Sequence, residues 1–162
     1  MRCIAGISRE AAMHDDLEPL RAILHRALTR YLTVTPRGLM LAGESRPVPV
    51  AEARVLGYGG ARTLYRDRRP ACRSLDAIAS IDHKSRRCAG CSDFGACTPQ
   101  IRVDLVVDKH AYRLLLAFTS ARNFLEHITV LQHRGIDPLA VDHEIRVVPR
   151  GSWGELRFRP LP

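Results

Sequence analysis

Between Glu10 and Leu32 the apolar residues Leu17, Leu20, Leu24, Ala27, Leu28 and Tyr31 return every three or four positions, a spacing that gathers side chains on one face of an α-helix. Asp15, Asp16 and Glu18 sit near its start, where negative charge complements the helix dipole. The pattern predicts an amphipathic N-terminal helix that packs on a core. The period then shortens. TVTPRGLMLAG, Thr33 to Gly43, reads as a β-hairpin around Pro36-Arg37-Gly38, and VPVAEARVLGYGG reads as another strand ending in its glycines. QIRVDLVVDKHAYRLLLAF alternates as two strands joined near Asp108-Lys109. Thr119 or Ser120 is then placed to cap a helix carrying Phe124, Leu125, Ile128 and Leu131 on one face and stopping at Gly135. HEIRVVP and ELRFRP, on either side of Arg150-Gly151-Ser152-Trp153-Gly154, complete a last strand pair. Roughly six strands and two helices, with short strands and glycine turns, predict an α+β, mainly β fold of the Greek-key barrel kind and not a parallel βαβ fold.

Length and composition narrow the class. At 162 residues the chain fits one domain with a sizeable core, and 46% hydrophobic with 26% charged residues is ordinary for a folded globular protein. No run approaches the roughly eighteen apolar residues of a membrane span, and MRCIAGISRE lacks the long apolar centre of a signal peptide. The expectation is a soluble cytoplasmic protein with no membrane partner. In that reducing setting clustered cysteines point to metal binding or catalysis and away from disulfides.

Charge points to a polyanion. The formal net charge is +8, and a positive field concentrates phosphate-bearing ligands. All but two of the twenty-five basic residues are arginine, which binds phosphate bidentately and stacks on bases. GC-rich coding would produce the same bias. The distribution says more than the total: Arg54 to Arg87 holds nine basic residues (Arg54, Arg62, Arg66, Arg68, Arg69, Arg73, Lys84, Arg86, Arg87) against Asp67, Asp76 and Asp82. Most of the net charge therefore lies beside and within a cysteine cluster.

That cluster is Cys72-x15-Cys88-x2-Cys91-x5-Cys97, four of the five cysteines within twenty-six residues. Four thiolates are what a tetrahedral structural zinc requires, and Cys88-Ala-Gly-Cys91 is a tight knuckle that lets two sulfurs face one ion. Gly90 and Gly95 free the backbone to fold around it. Arg86 and Arg87 offset the charge of a four-thiolate site. His83 is an alternative fourth ligand, and Cys3 stands apart near the terminus. A thioredoxin-like pair should open a helix, whereas Ser-Asp-Phe-Gly follows Cys91. A zinc deaminase needs His-x-Glu before Pro-Cys-x-x-Cys, and neither the proline nor an upstream His-x-Glu is present.

Other candidate chemistry is thinner. Asp104, Asp108 and His110 could hold a divalent ion for a nuclease, as could Asp142-His143-Glu144, although polar strand and turn residues explain both. His127 and His133 are six apart and do not share a helix face as i, i+4 ligands would. Gly57-Tyr58-Gly59-Gly60 lacks the elements of a phosphate loop or a dinucleotide fingerprint. No nucleophile and base signature stands out, so no enzyme is expected. Tyr58 and Tyr65 lie among the arginines and Phe94 lies in the cysteine loop. Rings interleaved with positive charge suit single strands, whose backbone follows charge while bases stack.

The order of these features resembles a family of phage- and plasmid-encoded proteins regarded as zinc-containing, OB-like single-stranded DNA-binding proteins. The resemblance runs from about Tyr31 to Phe158 through TVTPRGLMLAG, RVLGYGG leading into TLYRDRRPACRSLDA, the pair RCAGC, and LLLAFTSARNFLEHITVLQHRGIDPLAVDHEIRVVP closing with GELRF. Where that family carries Cys-Pro and Trp-Gly, this chain has Cys91-Ser92 and Phe94-Gly95.

The expectation is an N-terminal helical segment over 1–32 and an OB-like domain over 33–162. Zinc is held by Cys72, Cys88, Cys91 and Cys97. Single-stranded nucleic acid, DNA favoured over RNA, is bound without catalysis by Arg54, Arg62, Arg66, Arg68, Arg69, Arg73, Arg86 and Arg87 with Tyr58, Tyr65 and Phe94. The alternative is a zinc-containing subunit of a replication or RNA-guided nucleoprotein complex, with the N-terminal helix docking a protein partner.

Overall fold

The computed structural model describes residues 30–82 and 87–162. Nearly all of the N-terminal segment expected to be helical therefore lies outside the described residues, as do Cys3, His83 and Arg86. The described elements are β1 (Thr33–Thr35), β2 (Gly38–Met40), β3 (Val50–Arg66), β4 (Arg69–Ser74), β5 (Thr98–Val107), β6 (His110–Leu116), α1 (Phe118–His133), β7 (Asp142–Arg150) and β8 (Trp153–Pro160). Two short 3-10 turns, Cys88–Gly90 and Phe94–Ala96, lie between β4 and β5. The mainly β, α+β composition read from the alternation is what the structure has.

β1 and β2 form a hairpin, and the remaining strands make one antiparallel sheet in the order β6-β5-β3-β7-β8, with β4 against the far half of β3. β3 organises it. Its first residues, Val50 to Arg54, pair with β7, its middle with β5, and its end with both β5 and β4. The alternation predicts a strand stopping at Gly59-Gly60, but the strand runs on to Arg66. Gly59 and Gly60 stay in register with Arg102 and Ile101, so ladder hydrogen bonds hold backbone that has little intrinsic strand preference. Two register shifts, after Val55 and after Leu64, bend the strand.

The two-residue turns follow from the hand of the sheet. Asp67-Arg68 and Asp108-Lys109 all have positive φ, the type I′ geometry that suits the right-handed twist of the flanking strands.

Val103, Leu105, Leu114, Leu116, Ile145 and Leu156 fill the interior, α1 lays Phe124 and Ile128 against it, and Leu131 on the same helix is buried. Leu125, expected on that face, is 46% exposed, because it stands one residue, about 100°, round from Phe124 on a helix of 3.6 residues per turn. The helix also begins before Thr119, and neither Thr119 nor Ser120 caps it: the N-cap is Ala117, with no side-chain hydrogen bond. Ser120 and Asn123 are used elsewhere. Ser120 Oγ accepts from the Leu156 amide at 3.0 Å and Asn123 Nδ2 donates to the Leu156 carbonyl at 2.8 Å. These two side chains substitute for a neighbouring strand along the open edge of β8. The expected stop at Gly135 holds: its φ is +69°, and the amide of Ile136 bonds back to the Leu131 carbonyl, a glycine-dependent helix end.

β6 and β8, the two ends of the sheet order, are not paired with each other among the described residues. The chain around β1 occupies the seam. Tyr31 bridges Arg113 of β6 in parallel fashion. On the other side β1 crosses Gly154 of β8 so closely that any side-chain carbon there would collide with the Thr35 carbonyl and Val147.

Candidate metal centre and nucleic-acid interface

The hairpin of β3 and β4 extends beyond the sheet body, and the chain returns from its end through residues 75–97. A bracket of local hydrogen bonds folds this return. Asp76 Oδ1 accepts from Ser74 Oγ and from the amides of Ile78 and Ala79, and those amides, Ala79 foremost, hold its carboxyl below the usual range. The Arg73 amide donates to Asp82 Oδ2 at 2.7 Å. The Cys88 amide donates to the Ile78 carbonyl at 2.7 Å, which carries the second half of the cysteine set back over β4.

Cys72 leaves β4, Cys88 and Cys91 bound the first 3-10 turn, and Cys97 follows the second. Each short turn closes on its own cysteine: the Cys91 amide bonds to the Cys88 carbonyl and the Cys97 amide to the Phe94 carbonyl. All four thiols are free of disulfides, and Cys88 is buried. Cys97 lies within electrostatic range of the other three. Burial pushes the Cys97 thiol up, and Cys72, Cys88 and Cys91 each push it further, while Arg62 opposes them. The sulfurs still bond to protein, Cys72 Sγ to Ser80 Oγ at 3.1 Å and Cys97 Sγ to the Asp93 carbonyl at 3.4 Å. Among the described residues no three His, Cys, Asp or Glu side chains stand in metal-binding geometry.

The arginines around this loop divide into tethered and open groups. The Arg62 guanidinium lies 3.9 Å over the Phe94 ring, a cation–π contact that joins β3 to the second 3-10 turn. Arg66 pairs with Asp93 at 3.2 Å, and Arg73 lies 3.9 Å from Asp82 and over the Tyr31 ring. Arg54, distant along β3, is paired with Asp142 at 2.7 Å. Arg68 and Arg69, at the hairpin tip, are exposed, and Tyr65 beside them is 46% exposed. Arg87, at the start of the first 3-10 turn, has an exposed surface but is not without a partner. The rings divide likewise: Tyr65 faces solvent, Phe94 lies under Arg62, and Tyr58 packs edge-on against Phe124 of α1 at 5.5 Å. Tyr58 thus belongs to the wall of the core, and the open tip consists of Tyr65, Arg68 and Arg69.

Of the carboxylates considered for a nuclease, Asp104, Asp142 and Glu144 are engaged by arginine. Asp104 lies 2.8 Å from Arg113 Nε and 3.2 Å from Arg102 Nε, while His110 Nδ1 reaches the Asp108 carbonyl at 2.9 Å. Asp142 and Glu144 point away from His143, towards Arg54 and towards Arg146 and Arg159.

Two features escape a reading by sequence spacing. His127 of α1 and His143 of β7 meet at 2.9 Å, and His143 Nε2 lies 2.8 Å from the Pro138 carbonyl. Sixteen residues separate them, and they lie on different elements, so spacing within either element does not bring them together. The second is Phe118, 79% exposed with φ of +47°, an unusual backbone for a bulky residue. Grooves of about 640 and 560 Å³ flank it, one lined by Ile101, Ala121 and Leu125 and the other by Val34, Leu115 and Trp153. Among the described residues no helix is long and apolar enough to cross a membrane.

Compared with known protein families, curated proteins and solved structures, the chain matches none.

Proposed function

We propose that this protein is a non-enzymatic binder of single-stranded nucleic acid, DNA before RNA, built on an OB-like barrel with a structural zinc. The observation that carries the reading is where the basic, cysteine-bearing arm is inserted. Taken in chain order, β3, β5, β6, β7 and β8 are five strands placed 3-2-1-4-5, with a helix between the third and fourth. That connectivity supports an OB-like barrel, with residues 30–35 in the seam where direct closure would otherwise lie. In OB-folds the strand 1–2 loop is among the oligonucleotide-binding elements. Here that connection is the arm from Arg66 to Cys97, with Tyr65, Arg68 and Arg69 open at its tip.

Zinc fits the donor set. Four disulfide-free thiols on β4 and the two 3-10 turns are the donor number and type that a tetrahedral zinc takes as thiolates, the protons being displaced by the cation, and Cys72, Cys88, Cys91 and Cys97 would hold it. Bound there, the ion would supply structure alone, tying β4 to both 3-10 turns and fixing the arginine-bearing hairpin between them. Resemblance to zinc-containing single-stranded DNA-binding proteins of phages and plasmids, a cytoplasmic setting and a mobile-element origin belong to the same proposal.

A second reading, a zinc-containing subunit of a larger nucleoprotein assembly, is favoured by the apolar surface around Phe118, because exposed apolar strips of this kind mark contact with other molecules. Fluorescence anisotropy of zinc-quantified protein with labelled single-stranded DNA, single-stranded RNA and duplex DNA over a salt series separates the two. The solitary binder should prefer single strands with a steep salt dependence, and Arg68→Gln/Arg69→Gln should weaken it. One zinc per chain with no binding to any of the three at low salt would leave the assembly subunit as the surviving reading.

A further inference from the structure

The outer face of the β7–β8 hairpin carries a second arginine array, away from the cysteine arm in sequence. The register sets Arg146 directly opposite Arg157, Glu144 opposite Arg159, Val148 opposite Glu155, and Arg150 opposite Trp153. Directly opposed residues share a face, so four arginines and Trp153 project together. Like charges set opposite one another destabilise a strand pair. Arg146 and Arg157 are nevertheless placed so, and two carboxylates beneath them make it tolerable.

Glu155 and Glu144 are both buried, and each holds two guanidiniums. Glu155 takes Arg150 at 2.8 Å on Oε2 and Arg157 at 2.5 Å on Oε1; Glu144 takes Arg159 at 2.5 Å on Oε2 and Arg146 at 3.2 Å on Oε1. Arg150, with Arg159 and Arg146, holds the carboxyls below their ordinary range, so both remain charged at neutral pH. Asn123 of α1 adds a hydrogen bond to Glu155 Oε1, locking that anchor to the helix. Each pair of arginines thus has one buried counter-charge and one positive charge in excess. The four guanidinium-bearing side chains remain about half exposed, between 49% and 65%. Arginines fixed in this way have already lost much of the side-chain freedom that binding would otherwise cost. The array has a polarity: Glu52 of β3 stands beside Glu144, whereas the hairpin end carries Arg150 and the 48%-exposed Trp153.

We propose that this face is a second phosphate-binding track, in which the Arg146/Arg159 and Arg150/Arg157 pairs each clamp a phosphate of a single strand and Trp153 stacks on a base at the hairpin end. This rests on the nucleic-acid reading for the identity of the ligand and on the geometry of β7 and β8 for its place. The arm and the track would then engage one strand at two separated points.

The test has a wild-type arm and a variant arm. In wild-type protein, the arginine Nε–H resonances of 146, 150, 157 and 159 are followed by NMR during titration with oligo-dT and, separately, with inorganic polyphosphate. Anisotropy then compares Arg146→Gln/Arg157→Gln with Arg68→Gln/Arg69→Gln. Salt slopes on single strands are about 0.7 per phosphate contacted, so the first variant should flatten the slope by about 1.4 at an unchanged fold. Unmoved β7–β8 resonances with both titrants overturn the track, as does an unchanged slope in a folded variant. Resonances that move with polyphosphate but not with oligo-dT, in protein whose anisotropy shows no single-strand binding, leave the phosphate track standing and overturn the nucleic-acid reading; the same pattern with single-strand binding retained overturns the track. If the glutamine variant fails to fold, the wild-type titration decides alone.

Discussion

Asp104 shows how far a single residue's role depends on what lies opposite it. On β5 it looks like a nuclease ligand; in the sheet it is paired in register with Arg113 and stands two residues from Arg102. The Arg113 side chain is 4% exposed. A charge so deeply buried is stable only with its partner, because removing one member leaves the other desolvated and uncompensated. Asp104→Ala is therefore expected to cost about 3–5 kcal/mol of stability, measured by urea unfolding. A loss under about 1 kcal/mol, in the range of exposed pairs, would mean that Arg113 finds another counter-charge.

At the level of elements, α1 is fastened to the sheet by polar contacts as well as by Phe124. Ser120 and Asn123 occupy the open edge of β8, and His127 meets His143 of β7. With both rings neutral, the Pro138 carbonyl must accept from His143 Nε2–H, so His143 Nδ1 accepts from His127 Nε2–H. Burial, and then the neighbouring His143, push His127 down to about 4, below its free value near 6.5. A cationic group whose folded pKa is depressed leaves the unfolded chain binding more protons between the two values. The contribution of His127 is thus complete above about pH 6.5 and drains away as pH falls towards 4. The urea midpoint of the wild type should fall more steeply across that window than that of His127→Gln, whose side chain can still donate to His143. Parallel curves would show that the histidine pair does not couple to folding.

For the molecule as a whole, the sheet body and the cysteine arm have separate sources of stability. The main core runs through β2, β3, β5, β6, α1, β7 and β8, whereas Ala61, Leu64, Leu75 and Cys88 are buried outside it. A polar loop of that length buries too little apolar surface to offset its own ordering. The proposed zinc supplies the deficit. Chelation should therefore speed amide exchange across residues 75–96 and leave β5, β6 and β7 protected, followed by hydrogen-exchange mass spectrometry. Global unfolding would instead tie the metal to the main core, and unchanged exchange would remove zinc from the account of the arm.

Local chemistry was legible without coordinates wherever a residue's neighbours in sequence decide its conformation. Alternation marked every strand from β5 onwards and the join of β5 and β6 near Asp108-Lys109, and Gly135 marked the end of α1. The continuation of β3 through its glycines was not legible, because register with β5 overrides their weak preference. The same holds for the retention of Tyr58 in the core wall, the pairing of Asp104 with Arg113, and the meeting of His127 with His143. Nor was the double-arginine array on β7 and β8, although Arg157 and Arg159, two apart in a strand, already share a face. Only cross-strand pairing placed Glu144 and Glu155 beneath them, since which side chains oppose one another is set by register and long-range packing, and no property of either segment alone contains it.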